Sequence, residues 1–125
     1  MEKAIKSHPD AKWKVVAFHH DIYGSGQPHS DFDGANLRTI FAPLMDKYDI
    51  DVCLTGHDHS YARTYQIIDG TAIDYGEKEA VDPEGTLYIA AGSASGSKFY
   101  NLATQKQYYI CLLYTSDAAD DRISV

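Results

Sequence analysis

Two apolar runs in this chain each end in histidines, and a helical pattern lies between them. The first run, VVAFHH, reaches His19 and His20, and the second, CLTGHDH, reaches His57 and His59. Between the runs, apolar residues recur at steps of three and four from about residue 35 to residue 48, which predicts an amphipathic helix. A strand–helix–strand unit of this kind forms parallel strands and brings both carboxyl ends to one edge of the sheet.

The remainder of the chain has the pattern of further strands separated by turns. The segments ARTYQII, TLYIAAG and KQYYICLL predict strands, and Asp69 with Gly70 predicts a turn. Asp33 is the expected N-cap of the helix, and Pro43 is expected to kink or weaken it. The pattern predicts the α/β class, with a parallel βαβ unit extended by antiparallel strands into a mixed sheet.

Charge and composition restrict the class of partner. The net charge is −7, which argues against nucleic acid and against anionic membrane surfaces, because both attract basic patches. No apolar run reaches membrane-spanning length, and the segment MEKAIKSHPDAKWK lacks the apolar centre of a signal peptide. We therefore expect no nucleic-acid and no membrane partner, and the localisation of the chain stays open. Cys53 lies in an apolar run and is expected to be a buried thiol.

The segment Gly56-His57-Asp58-His59 predicts a metal site from its own chemistry. In extended backbone, residues two apart point to the same side, so His57 and His59 would face one site and Asp58 would turn away. Neutral imidazole is the commonest nitrogen ligand for metals such as zinc and iron. His19 would join them from the neighbouring strand. A polar turn with incidental histidines is the alternative for the short motif taken alone.

These segments occur in the order VVAFHH, YGSG, a histidine, the helix and DVCLTGHDHSYARTY. This order resembles the C-terminal half of the catalytic domain of a calcineurin-like metallophosphoesterase, of the purple acid phosphatase branch. The likeness extends from about Trp13 to Phe99. It implies a partial α/β/β/α metallophosphoesterase sandwich and a parent protein that hydrolyses small-molecule phosphate esters at a two-metal site. The implied cofactors are two divalent or trivalent metal ions, iron with zinc or manganese. The implied parent is secreted or exposed at the cell surface.

The resemblance assigns metal ligands where the motifs match. His19, which ends the motif VAFH, and His57, the first histidine of GHDH, would bind the second metal ion of the pair. His59 would bind the first. Tyr61 and Arg63 match the continuation of that motif and would serve as scaffold, Tyr61 by packing and Arg63 by fixing a carboxylate or a carbonyl.

Residues outside the metal motifs are expected to support catalysis. His29, in GSGQPHS, matches a histidine that the family places beside the leaving group, and it would be a general acid or a hydrogen-bond donor to phosphate. A solvated loop histidine is the alternative. His20, Asp21 and Tyr23 are expected to support the ligands or to face the substrate, with Asp21 able to accept a hydrogen bond from a ligand histidine.

Parts of the family pattern are missing from this sequence. The three blocks that would supply the carboxylate ligands are not found before Trp13. We therefore expect residues 1–110 to be the C-terminal part of a catalytic domain, inactive and marginally stable alone. The segment CLLYTSDAADD resembles a translated sequencing adapter, so residues 111–125 are an expected non-native tail. The alternatives are a non-enzymatic metal-binding or interaction module that keeps three ligand histidines, and a small α/β domain whose histidines are incidental.

Overall fold

The computed structural model describes residues 1–27, 32–76, 79–92, 100–105 and 107–114 of the chain. In chain order, its helices and strands within these ranges are α1 (Glu2–Ser7), β1 (Val15–Phe18), α2 (Asp33–Tyr48), β2 (Val52–Thr55), β3 (Tyr61–Ile68), β4 (Thr71–Ile73), β5 (Thr86–Ala91) and β6 (Ile110–Tyr114). Each strand predicted from the sequence is present, and so is the helix between the first two. Strand β4 and helix α1 were not predicted.

The strands form one mixed sheet, which confirms the predicted class. Strands β1, β2 and β5 are parallel neighbours, whereas β3 is antiparallel to β5, β4 and β6. In this pairing, Phe18 at the end of β1 lies opposite Thr55 at the end of β2. The crossover through α2 therefore brings the chain back so that the residues after Phe18 and after Thr55 leave the sheet at the same edge.

Helix α2 covers one face of this sheet. The ring of Phe41 stacks on that of Phe18 with centroids 5.2 Å apart, and Met45 is 1% exposed. Cys53 is fully buried, which confirms the predicted buried thiol, and burial raises its pKa to about 12. The core consists of the following buried side chains: Ile22, Tyr23, Met45, Ile50, Cys53, Ala62, Ile67, Tyr88, Ala90, Tyr109 and Ile110.

The ends of α2 differ from the sequence prediction. Phe32 occupies the N-cap position with helical dihedral angles and no side-chain capping bond, so the prediction of Asp33 as the cap was wrong. The helix continues through Pro43, which lies on its exposed side. At the C-terminus, Asp49 has a φ of 52°, and the ammonium of Lys14 donates to its carbonyl oxygen over 2.9 Å. This contact ties the helix end to the residue before β1.

The opposite face of the sheet is apolar and partly open. The pairing register places one row of residues on it across five strands: Ala17, Leu54, Ile89, Arg63 and Leu112. Leu54 is 38% exposed, Leu112 is 41% exposed, and Val15, two residues before Ala17, is 57% exposed. Domains of layered architecture bury such a face against another layer.

Strand β6 includes the start of the segment that resembles an adapter. Residues 110–114 pair with β3, and Ile110 is fully buried. Residues 115–125 lie outside the described ranges. Cys53 and Cys111 are not joined by a disulfide bond. Among the residues that the structure describes, no helix is long and apolar enough to cross a membrane.

Candidate functional site

The structure brings His19 and His57 into contact at the carboxyl edge of the parallel strands. The amide of Gly56 donates to the carbonyl oxygen of His19 over 2.9 Å, which extends the alignment of β1 and β2 by one residue. The Nε2 atom of His19 then lies 3.2 Å from the Nδ1 atom of His57. His19 is exposed and His57 is half-buried, so the pair is open to solvent on one side.

His20 joins the same group of rings. Its imidazole stacks on that of His57 with centroids 4.5 Å apart and lies edge-on to that of His19 at 5.2 Å. Consecutive side chains point apart in a strand, but the chain bends at His19 and His20 directly after β1, so this alternation does not apply to them. His19, His20 and His57 therefore form one solvent-facing imidazole cluster.

His59 has a different environment. Its ring packs against that of Tyr100 with centroids 4.8 Å apart, and its carbonyl oxygen accepts the amide of Tyr100 over 3.3 Å. The sequence reasoning assumed extended backbone from His57 to His59, but His57 has a φ of 63° and the chain bends through residue 60. That assumption was wrong, because strand alternation does not apply in this turn. The ligand role of His59 stays a prediction.

Asp21 and Asp58 lie beneath the histidines as a buried pair of carboxyl groups. Asp21 is 3% exposed, and its pKa is raised to about 7, first by burial and then by the charge of Asp58. Its Oδ2 atom has no hydrogen-bond partner among the described residues, so the structure does not show the expected bond to a ligand histidine. The chain turns into the core after His20, where Ile22 is fully buried, and this carries Asp21 inward.

Tyr23 is buried in the core close to the histidine segments. It is 4% exposed and packs on Tyr88 and Tyr109 at centroid distances of 4.5 and 5.0 Å, while the guanidinium of Arg38 lies 4.7 Å from its ring centre. Burial raises its pKa to about 12. The expectation that Tyr23 supports the ligands or faces the substrate stays a prediction.

The remaining predicted residues are distributed as follows. His29 lies outside the described residues, so its role as a general acid stays a prediction. His8 is exposed directly after α1. Tyr61 is half-buried in β3. Arg63 was expected to fix a carboxylate or carbonyl, and instead its Nη2 atom lies 3.5 Å from the thiol of Cys111.

The distance between His19 and His57 bears on whether a metal ion fits the site. Two nitrogen ligands bound to one tetrahedral zinc ion at about 2.0–2.1 Å would be about 3.3–3.4 Å apart. The observed 3.2 Å between Nε2 and Nδ1 is close to that separation. Across the described ranges, no group of three or more His, Cys, Asp or Glu side chains could hold a metal ion. Among the described residues, the Nε2 atom of His19 and the Nδ1 atom of His57 are thus spaced as two ligands of one ion would be.

Sequence reasoning missed two contributors to this site. Tyr100 supports His59, and Asp58 binds the loop after β1 through the amides of Ser25 and Gly26. Two glycines spaced two apart in YGSG signal a close approach of backbone, but the sequence does not say which group approaches.

The chain is similar in sequence to a segment of several purple acid phosphatases. Purple acid phosphatase 1 of Ipomoea batatas is 28% identical over 105 residues, which cover 78% of this chain and 20% of the relative. Fe(3+)-Zn(2+) purple acid phosphatase 12 of Arabidopsis thaliana is 26% identical over 107 residues, which cover 78% of this chain and 22% of the relative. No protein-family model matches the chain.

A solved structure shares the fold. The purple acid phosphatase of yellow lupin seeds (Lupinus luteus) matches with a TM-score of 0.74 over 90% of this chain and 21% of that chain, at 20% sequence identity. The match confirms a metallophosphoesterase type of fold. The chain spans about a fifth of the length of the curated relatives it matches.

Proposed function

We propose, on the premise that this chain is homologous to a segment of the purple acid phosphatases, that it is the histidine-bearing part of a metal-dependent phosphoesterase. The parent protein would hydrolyse small-molecule phosphate esters at a centre of two metal ions, iron with zinc or manganese. The name of the Arabidopsis relative mentions Fe(3+) and Zn(2+), and this supports the choice of metals. By the same resemblance, the parent would be secreted or exposed at the cell surface.

The observation that carries the proposal is the 3.2 Å contact between the ring nitrogens of His19 and His57. Two residues 38 positions apart in sequence meet at the strand edge where α/β folds bind ligands. A hydrogen bond between two neutral imidazoles uses one N–H and one lone pair, and both rings must present lone pairs to bind an ion. The contact therefore becomes a ligand pair by a change of tautomer, in which the ring that donates moves its proton to its other nitrogen.

The residues of this chain would divide the work as follows. His19 and His57 would hold one ion, and His59 would contribute to the other. The bound ions would polarise the phosphoryl group and lower the pKa of a bound water. His20 is exposed and stacked on His57, so its ring N–H could donate a hydrogen bond to a phosphate oxygen at the open side of the cluster. His29 remains our candidate general acid.

A non-enzymatic metal-binding module is the second candidate. It is favoured by the burial of the two carboxylates that neighbour the histidines in sequence. Asp21 is 3% exposed and Asp58 is 0% exposed. Neither lies in the solvent-facing cluster. A two-metal phosphoesterase needs a bridging carboxylate. The phosphoesterase function therefore requires that another part of the parent protein supply this carboxylate.

Calorimetric titration of the full 125-residue chain with Zn²⁺ at pH 7.5 tests the metal site. We expect one ion to bind, and His19→Ala and His57→Ala each to weaken binding by at least about tenfold. His8→Ala is the matched control, because His8 is an exposed histidine beside α1 and should leave binding unchanged. Absence of binding, or binding insensitive to both substitutions, would remove the metal site from the proposal.

Hydrolysis of p-nitrophenyl phosphate by the parent protein separates the two candidates. If the parent protein is a phosphoesterase, its kcat should fall by orders of magnitude in the His19→Ala and His57→Ala variants. A parent that binds zinc through these histidines and hydrolyses no phosphate ester would be the binding module.

A further inference from the structure

The side chain between the two histidines of the GHDH turn points into the protein and contacts a different segment. Asp58 is 0% exposed, and its Oδ2 atom accepts the backbone amides of Ser25, over 3.0 Å, and of Gly26. Hydrogen bonds from backbone amides to a carboxylate are among the stronger ones in proteins. The turn that follows β2 is therefore fastened to the loop that follows β1.

The backbone of that loop approaches so closely that only glycine fits. A Cβ atom at Gly26 would lie 1.8 Å from Oδ1 of Asp58, and one at Gly24 would lie 1.7 Å from Oδ2 of Asp21 and 2.7 Å from Oδ2 of Asp58. Glycine at both positions is thus explained by this contact rather than by a positive φ, since neither has one. The two buried carboxylates therefore explain why glycine stands on both sides of Ser25 in the segment GSG.

The same loop is held from its other side. The amide of Gln27 donates to the carbonyl of Asn101 over 2.7 Å, and the amide of Ala103 donates to the carbonyl of Ser25 over 2.8 Å. The phenol of Tyr109 donates to the carbonyl of Gly24 over 3.1 Å. The loop is therefore bonded to Asp58 and also to Asn101, Ala103 and Tyr109.

We propose that Asp58 is a positioning residue for the histidine cluster. Its carboxylate, held by the amides of Ser25 and Gly26, is called here the Asp58 anchor. Since His57 and His59 flank Asp58 directly, fixing this side chain in the interior fixes the backbone from which both rings project.

The anchor also acts on the first strand. Asp58 accepts the amides of Ser25 and Gly26, five and six residues after His20, so one buried carboxylate connects the two segments that carry the histidines. The part of this inference that concerns metal affinity rests on the proposed function, whereas the restraint on the backbone does not.

Amide hydrogen exchange of the metal-free, ¹⁵N-labelled chain tests the restraint by itself. In the unsubstituted chain, Ser25 and Gly26 should exchange at least about tenfold more slowly than unprotected amides. In Asp58→Ala, both amides and that of Gly56, which bonds to His19, should exchange about tenfold faster or more. The amide of Tyr88, in the core, should keep its rate. Unprotected Ser25 and Gly26 amides in the unsubstituted chain would overturn the inference.

Zinc affinity tests the consequence for the ligands. Asp58→Ala should weaken Zn²⁺ binding by about 10–100-fold, the usual effect of removing a residue that orients metal ligands. Asp58→Asn keeps an acceptor oxygen at the same place and should bind zinc within about threefold of the unsubstituted chain. Unchanged affinity in a folded Asp58→Ala chain would overturn the positioning role.

A control and a fallback keep these outcomes separate. Asp46→Ala also removes a carboxylate that accepts a backbone amide, that of Asp69, but away from the histidines, so it should leave zinc affinity unchanged. If Asp58→Ala does not fold, the exchange rates of the unsubstituted chain and of Asp58→Asn decide: unprotected amides in the former overturn the anchor, and slow exchange in both supports it. A chain that binds no zinc but shows the expected exchange would refute the metal function and leave the anchor standing.

Discussion

The Nε2 atom of His19 lies 3.2 Å from the Nδ1 atom of His57, and the two residues reach this contact from adjacent parallel strands. The alignment of Phe18 with Thr55 and the bond from the Gly56 amide to the His19 carbonyl bring the two backbones together. The geometry of the pair is therefore a property of the sheet.

If both histidines bind the same ion, their substitutions should not be additive. Each of His19→Ala and His57→Ala removes one ligand of a shared ion, so the double variant should lose little more Zn²⁺ affinity than either single variant. Calorimetric titration of the four chains gives the double-mutant cycle. Losses that add in full would indicate two independent sites and contradict a shared ion.

Alkaline pH should destabilise the chain through its buried phenol and thiol groups. Burial raises the pKa of Cys53 from 9.0 to about 12 and that of Tyr23 from 10.0 to about 12. The unfolded chain loses these protons at lower pH than the folded chain does. The contribution to stability is thus fully present below about pH 9 and is lost as the pH rises toward 12.

Urea unfolding at a series of pH values from 7.5 to 11 measures this effect. The midpoint should fall with increasing steepness above pH 9, and Cys53→Ala should reduce that slope even though the cavity lowers the midpoint itself at neutral pH. Comparison of slopes rather than of midpoints separates the titration from the cavity. A slope that Cys53→Ala leaves unchanged would show that the thiol does not titrate in this range.

The open apolar face of the sheet should make the isolated chain self-associate. Leu54 and Leu112, on that face, are 38% and 41% exposed. Replacing both by threonine should raise the monomer fraction at high protein concentration, because threonine suits strands and removes apolar area from the surface. Sedimentation velocity measures the monomer fraction.

Val81→Thr provides the matched control for the sheet face. Val81 is 78% exposed but lies in the segment between β4 and β5, so the change should not affect association. We also expect a broad urea transition for the unsubstituted chain. A sharp, cooperative transition of a monomer would contradict the expectation that this chain is marginally stable.

Two glycines with positive φ should respond very differently to alanine. Gly85 has a φ of 89°, and a Cβ there would lie 2.6 Å from the carbonyl oxygen of Ile67, whereas Gly70 has a φ of 68° and open space around it. Gly70→Ala should cost about 1 kcal/mol from backbone strain alone. Gly85→Ala should cost about 3 kcal/mol, because the clash adds to the strain. The urea midpoints of the two variants rank the losses, and equal midpoints would show that the strand β3 backbone yields to the methyl group.

The order of the elements was readable from the sequence because it depends on local patterns. The period of apolar residues between the two histidine runs predicted α2, and alternation predicted β3. The N-cap residue of α2 could not be predicted from the sequence. Asp33 is a good cap by residue type, but Phe32 occupies the N-cap position and already has helical dihedral angles. Cap preferences are small compared with the packing that sets where a helix begins.

The sequence by itself determined that histidines would follow two parallel strands, since apolar patterns and a crossover helix place strand ends on a common edge. Only the tertiary structure decided which side chains meet there. It turned Asp21 and Tyr23 into the interior, brought His20 beside His57, and set the Asp58 carboxylate under the loop of Ser25 and Gly26. The reason is that these contacts occur in bends, where side-chain direction follows from long-range packing and not from the alternation of a strand.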